Sequence, residues 1–303
     1  MNMTTHRRAL RRYWLVSIGM LLVACGGGNG ELPPSPAPPP PPPPAASAPP
    51  PAASAAPTPP PAAPTPPPTP AVELTAGQPS PDPIAPLPTV KILSPKKGQV
   101  VALEKASDFE VKLEVNHWKT AMGDAHVHLI LDDRPYKPIY DTKGPVKLSE
   151  LTGSDAIAEG AHVLVAFPSR ANHESVKTAG ALAIVEFWIG KKGADKPQDV
   201  TKPTLIYSRP KGEYKGDMAN HVLVDFQLAN AVLAPGKNRV HISVTGPGID
   251  GDKSADVTQF GIPYYLDNLQ TGSYSVRLEL LGADGVALPG AWNSVTRTFS
   301  VSR

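Results

Sequence analysis

The chain has almost no cysteine: one residue in 303, Cys25. No intramolecular disulfide can form, and with Cys25 accounted for no thiol remains for nucleophilic chemistry. A long apolar run is also missing. The stretch from Tyr13 to Val23 falls short of the about 20 residues that a spanning helix needs. Helical periodicity of useful length is absent, and so is the G-x-S-x-G elbow of serine hydrolases. Gly246-Pro247-Gly248-Ile249-Asp250-Gly251 spells G-x-G-x-x-G, but no helix follows to receive a pyrophosphate, so it reads as a hairpin loop. Charge of one sign is lacking too. The chain carries 29 basic and 27 acidic side chains.

What is present begins with a basic leader. Arg7, Arg8, Arg11 and Arg12 precede the apolar stretch, which ends in Leu22-Val23-Ala24-Cys25. This is the layout of a signal peptide over residues 1–25. Its last four residues resemble a bacterial lipobox, in which the cysteine thiol is acylated and becomes the new N-terminus. Stable anchoring takes at least two acyl chains, and the resemblance implies diacylglycerol with a further chain such as palmitate. Gly26, in place of an aspartate, favours the outer membrane of the cell envelope. Removal of four arginines and no acid leaves 25 basic and 27 acidic side chains, so no electrostatic case for a nucleic-acid partner remains.

Residues 26–88 read as a disordered linker rich in proline and alanine. Of the 39 prolines, 27 fall between Glu31 and Pro88, seven of them consecutive at 38–44. Such a segment cannot donate to a hydrogen-bonded ladder or bury apolar area, so it extends as polyproline II. At ~3.1 Å per residue its reach is on the order of 180 Å. It is a spacer, and sugars on its Ser and Thr are left open.

The remainder repeats itself. Ile92-Leu93-Ser94-Pro95-Lys96-Lys97-Gly98 returns as Ile206-Tyr207-Ser208-Arg209-Pro210-Lys211-Gly212, and Val127–Leu131 returns as Val240–Val244. The offset stays between 112 and 118 residues, which predicts two copies of one module, 89–192 and 203–303. Each is a series of short strands of period two separated by Gly, Pro and Asp turns. The expected fold is all-β: two tandem immunoglobulin-like β-sandwich domains. Leu266-x-x-Leu269-x-x-Gly272-x-Tyr274 has the form of a tyrosine corner, and His162 holds the equivalent place in the first module.

Chemistry concentrates in the first module. His126 and His128 are two apart on one strand, so they share a face. Val127, Leu129 and Leu131 match the second module's core set, which turns the two histidines outward. An H-x-H pair is a start for a zinc or copper site, with His173 and Glu174 as the best further ligands and His117 as another. Val163, Val165 and Phe167 replace the outward Ser275, Arg277 and Glu279 of the second module, so something must cover them. Segment 168–182 is the expected cover, with the second module or a ligand as alternatives. Tyr136, Tyr140, Phe167 and Arg170 would crowd the same covered patch and form the candidate binding surface.

The runs His126–Asp132, Ala166-Phe167-Pro168-Ser169-Arg170-x-x-His173-Glu174-Ser175 and Asn293–Arg297 resemble those of uncharacterised exported bacterial lipoproteins with tandem immunoglobulin/fibronectin type III-like domains. The similarity spans residues 89–303 but not the linker. It implies a lipidated, sandwich-bearing class without naming an activity. The expected function is a non-enzymatic binding or structural module, held off the membrane by the stalk to meet a protein, a glycan or the cell wall, with no cofactor. The alternative is a periplasmic protein that binds zinc or copper through the histidine pair.

Overall fold

The computed structural model describes residues 39–40, 69–153, 155–194, 196, 198–251 and 253–303. Cys25 and the rest of the leader lie outside the described residues. Among the described residues no helix is long and apolar enough to cross a membrane. The strands of both modules belong to one compact unit, residues 65–303.

The first strand, β1 (Glu73–Ala76), lies inside the segment assigned to the linker, so the boundary at Pro88 is corrected. From Ala71 to Gln78 the chain is free of proline, and its amides can join a ladder. It pairs antiparallel with a strand almost 200 residues away, β15 (Tyr264–Asp267), from Glu73↔Asp267 to Ala76↔Tyr264. Val72, just ahead of it, is buried in the second module's core.

The first module holds two sheets. One is β2 (Thr89–Ser94), β4 (Glu110–Asn116) and β7 (Val146–Lys147). The other, in spatial order, is β3 (Val100–Val101), β9 (Ala183–Ile189), β8 (Gly160–Ser169), β5 (His126–Leu131) and β6 (Lys137–Ile139). In the second module β10 (Thr204–Arg209), β12 (His221–Ala229), β15 and β1 form one sheet. The other runs β11 (Gly212–Lys215), β17 (Ser294–Ser302), β16 (Gly272–Leu281), β13 (Arg239–Thr245) and β14 (Lys253–Val257). β3 pairs parallel with β9 as β11 does with β17, and every other pairing is antiparallel. Apart from β1, which has no counterpart in the first module, the order matches strand for strand. Both modules are immunoglobulin-like β-sandwiches.

Alternation explains each core. In β5 the odd residues Val127, Leu129 and Leu131 pack with Leu164, Ala166 and Phe187 between the sheets. Val240, Ile242 and Val244 do the same in β13. The Tyr274 hydroxyl accepts from Gln270 N at 2.7 Å and donates to Pro247 O at 2.9 Å, which closes the corner. Gly246 makes room for it, because a β-carbon there would collide with the tyrosine ring. His162 does the same work in the first module. Its Nε2 faces Ala158 O at 2.9 Å and its Nδ1 faces Asp132 Oδ2 at 2.8 Å.

The outward face of the β5–β8 sheet is dry. Ile130, Tyr136, Val163, Val165 and Phe167 form one cluster with Ile206 and Trp292 of the second module. The second module is therefore the main cover, a correction to the expectation that segment 168–182 would be; from that segment only Leu182 reaches the cluster. Burial of such side chains contributes roughly 1.5–3 kcal/mol each, enough to hold two modules together where a solvated face would not. Polar links rim the seam. Asp225 takes Lys177 Nζ at 2.6 Å and Ser175 Oγ at 3.0 Å, Gln227 donates to Val176 O, and Arg297 reaches Asp133 Oδ1 at 2.8 Å.

Candidate metal centre

Three imidazoles meet at the edge of this seam. His126 and His128 project from β5 on the face away from the module core, and both are fully buried. His173 arrives from a tight turn after β8, where Arg170 N bonds Glu174 O and His173 N bonds Arg170 O. Its φ of +68° lies in the left-handed region that side chains seldom adopt, so the turn's bonds hold it there. His126 Nε2 lies 3.0 Å from His128 Nε2 and 3.0 Å from His173 Nδ1. One donor nitrogen from each of the three falls within 4.8 Å of the others.

Proton accounting shows what this arrangement can do. His126 Nδ1 sits 2.7 Å from Asp124 O, and a carbonyl only accepts, so that nitrogen carries the hydrogen and Nε2 is bare. His128 Nδ1 faces Ser208 Oγ of the second module at 3.1 Å, a partner able to accept its proton. When His128 donates from Nδ1 to Ser208, two bare Nε2 atoms face one another and a cation can bridge them; when Ser208 donates instead, His128 Nε2 donates to His126 Nε2. Metal–nitrogen bonds of about 2.0–2.1 Å in a tetrahedral site imply nitrogens roughly 3.3 Å apart, close to the 3.0 Å of the two pairs that share His126 Nε2.

The surroundings keep the rings neutral. Burial pushes His128 well below its ordinary value, with His126, His173, Arg209 and Lys211 adding to the effect. Burial and Arg209 bring His173 down to about 3, and burial lowers His126 as well. A neutral imidazole is the form that ligates.

Aromatic rings wall the centre. Tyr136 stacks on His128 with centroids 3.4 Å apart, and its hydroxyl lies 3.2 Å from His173 Nδ1. Burial raises the Tyr136 phenol pKa, which keeps it protonated. Tyr140 lies against His126 at 5.1 Å and Phe167 meets His128 edge-on at 5.2 Å. Behind Tyr136 stand two cations of the second module: Lys211 Nζ is 3.8 Å and the Arg209 guanidinium 5.6 Å from the ring centroid.

Not every expected residue joins. Glu174 does not: it turns from the imidazoles, takes Ser80 N and Ser80 Oγ at 3.1 and 2.5 Å, and so fastens the end of the linker segment. Arg170 is likewise directed at that segment, with its NH2 donating to Pro81 O at 2.7 Å. His117 is exposed and apart from the cluster. Ser208, Arg209 and Lys211 were missed by sequence reasoning. The only signal was their place in Ile206–Gly212, the second copy of Ile92–Gly98, which says nothing about docking.

A tandem immunoglobulin-like β-sandwich with a cluster of three histidines, two of them buried, at its seam is the class of protein that fold and site define. No protein-family model matches the chain, and no curated protein does. Among solved structures it is similar to the fibronectin(III)-like modules of Clostridium thermocellum CbhA, at 14% identity over 70% of this chain and 94% of that one, TM-score 0.24. It is also similar to the FN1–FN3 domains of chicken CNTN1, at 9% identity over 70% and 68%, TM-score 0.22. A third likeness is to a two-domain fibronectin type III segment of chicken tenascin, at 10% identity over 70% and 98%, TM-score 0.21. At these scores the fold rests on the strand pairings alone.

Proposed function

We propose that this chain is a lipid-anchored envelope protein whose non-enzymatic sandwich pair binds one zinc or copper ion at His126, His128 and His173. The convergence of three ring nitrogens, with His126 Nε2 left bare because Nδ1 donates to Asp124 O, is the observation that carries the reading. Neutral imidazoles suit zinc and copper alike. The stalk and the anchor at Cys25 would keep the site outside the membrane, within reach of the cell wall or of a partner on it.

The test uses the full chain with Cys25→Ser, which removes the only thiol as a competing ligand. One equivalent of metal is expected after exposure to zinc or copper, and it is lost in His126→Ala/His128→Ala. Failure to take up either metal at micromolar concentration overturns the reading. The anchor is tested separately, since Cys25→Ser should move the protein out of the membrane fraction and retention there would contradict lipidation.

A further inference from the structure

We infer that the triad is a site for monovalent copper, selected over zinc and cupric ions by the charge and coordination number that the seam imposes. This rests on the metal-binding reading above and goes on to name the ion.

The donors are three neutral imidazole nitrogens with no thiolate or carboxylate among them. The carboxylate nearest in sequence, Glu174, is spent on Ser80. A bound ion would therefore keep its whole charge in a largely dry place: His126 and His128 are fully buried, Tyr136 and Phe167 pack against His128, and only the half-buried His173 reaches toward solvent. An uncompensated buried charge is costly, and the cost rises steeply with charge. The seam adds to this. Lys211 and Arg209 stack behind Tyr136, whose other neighbour is His128. Their repulsion of a divalent ion is twice that of a monovalent one.

Coordination number argues the same way. Zinc in proteins is almost always four-coordinate, and a three-histidine site completes itself with water. Here the rings of Tyr136, Tyr140 and Phe167 pack against the imidazoles, Asp124 O and Ser208 Oγ are taken up at the Nδ1 atoms of His126 and His128, and the Tyr136 hydroxyl lies 3.2 Å from His173 Nδ1. Cuprous copper has a filled d shell, accepts two or three ligands, and needs neither water nor anion. Cupric copper prefers four or more ligands in a tetragonal plane, which three nitrogens on a strand and a turn do not supply.

Competition titration of the full Cys25→Ser chain tests this. Cuprous ion is added anaerobically against bicinchoninate, and zinc and cupric ions are added against chromophoric chelators of their own. One cuprous ion should bind at least a thousandfold more tightly than zinc, and His126→Ala/His128→Ala should abolish it. Lys211→Met, which removes one cation at the seam with its bond to Tyr136 O and keeps the unbranched apolar stem, should tighten zinc about tenfold and leave cuprous binding within threefold. Zinc or cupric binding equal to or tighter than cuprous overturns the choice of ion and leaves the metal site standing. Absence of binding by all three overturns both.

Discussion

The same sheet of the two modules carries opposite surfaces. In the first, the outward residues of β5 and β8 are His126, His128 and Ile130 facing Val163, Val165 and Phe167, all buried. In the second, β13 and β16 present Arg239, His241 and Ser243 beside Ser275, Arg277 and Glu279, and water reaches them. Strand order is identical, so topology does not decide the difference. The second module docks on the first and leaves its own matching face free. His128 and His241 hold equivalent places, yet one imidazole meets Ser208 in a dry seam while the other pairs with Asp256 at 2.7 Å on the surface. Docking turns a histidine from a partner of a surface carboxylate into a buried ring set against a serine and two other imidazoles.

Exchanging one residue between the faces should break that contrast most sharply. Phe167 corresponds to Glu279. Phe167→Glu would bury a carboxylate among Val163, Val165 and Trp292 with no cation placed for it, and a loss above about 4 kcal/mol is expected. Glu279→Phe removes exposed bonds to Arg277 and Ser294 and should cost less than about 1 kcal/mol. Urea midpoints of the two variants against the parent measure both. Similar losses would mean that the seam is not the dry interface described.

The next effect is an acid one and belongs to the first module alone. His126, His128 and His173 have depressed pKa values in the folded protein, against about 6.5 in the unfolded chain. Above pH 6.5 both states hold the rings neutral and stability is full. Below it the unfolded chain binds protons that the folded protein refuses, so stability falls as pH drops from 6.5 toward the value of about 3 at His173. Lys211 and Tyr136, which face the rings, stay protonated over this range and do not offset the loss. For the fully buried His128 the slope reaches about 1.4 kcal/mol per pH unit. Metal-free His128→Gln should flatten the decline between pH 6.5 and 4 relative to the parent chain. An unchanged slope would mean that the buried imidazole does not resist protonation.

Much of this was readable from sequence because it depends on local period. Alternation in Val127–Leu131 and Val240–Val244 fixed which residues face the core, and hence that His126 and His128 share the other side. The apolar Val163, Val165 and Phe167 announced a cover. Its identity was not readable, because Ile206 and Trp292 are apolar residues that would suit any interior. Glu174 was a reasonable ligand by position, but a turn of five residues sends adjacent side chains in different directions. The β1 strand escaped notice because its partner is almost 200 residues away and its neighbours are prolines. Non-local pairing leaves no period in the sequence.

The smallest expected difference lies at the corners. Tyr274→Phe strands Gln270 N and Pro247 O without their hydroxyl, which should cost about 1–2 kcal/mol at any pH below the tyrosine's own titration. His162 is different because both of its ring nitrogens face acceptors, the Asp132 carboxylate and Ala158 O, and only the imidazolium donates to both. Burial alone would lower its pKa, but the hydrogen bond and charge of Asp132, with Ala158 O, outweigh it and the net shift is upward. A raised folded-state pKa gives stabilisation that is complete below pH 6.5 and fades as pH climbs through the folded value. His162→Phe should therefore cost more at pH 6 than at pH 9, while Tyr274→Phe costs the same at both. Melting curves of the two variants at these two pH values decide it. A pH-independent His162→Phe would mean that the first module's corner is held by a neutral ring, with its proton on Nε2 and none for Asp132.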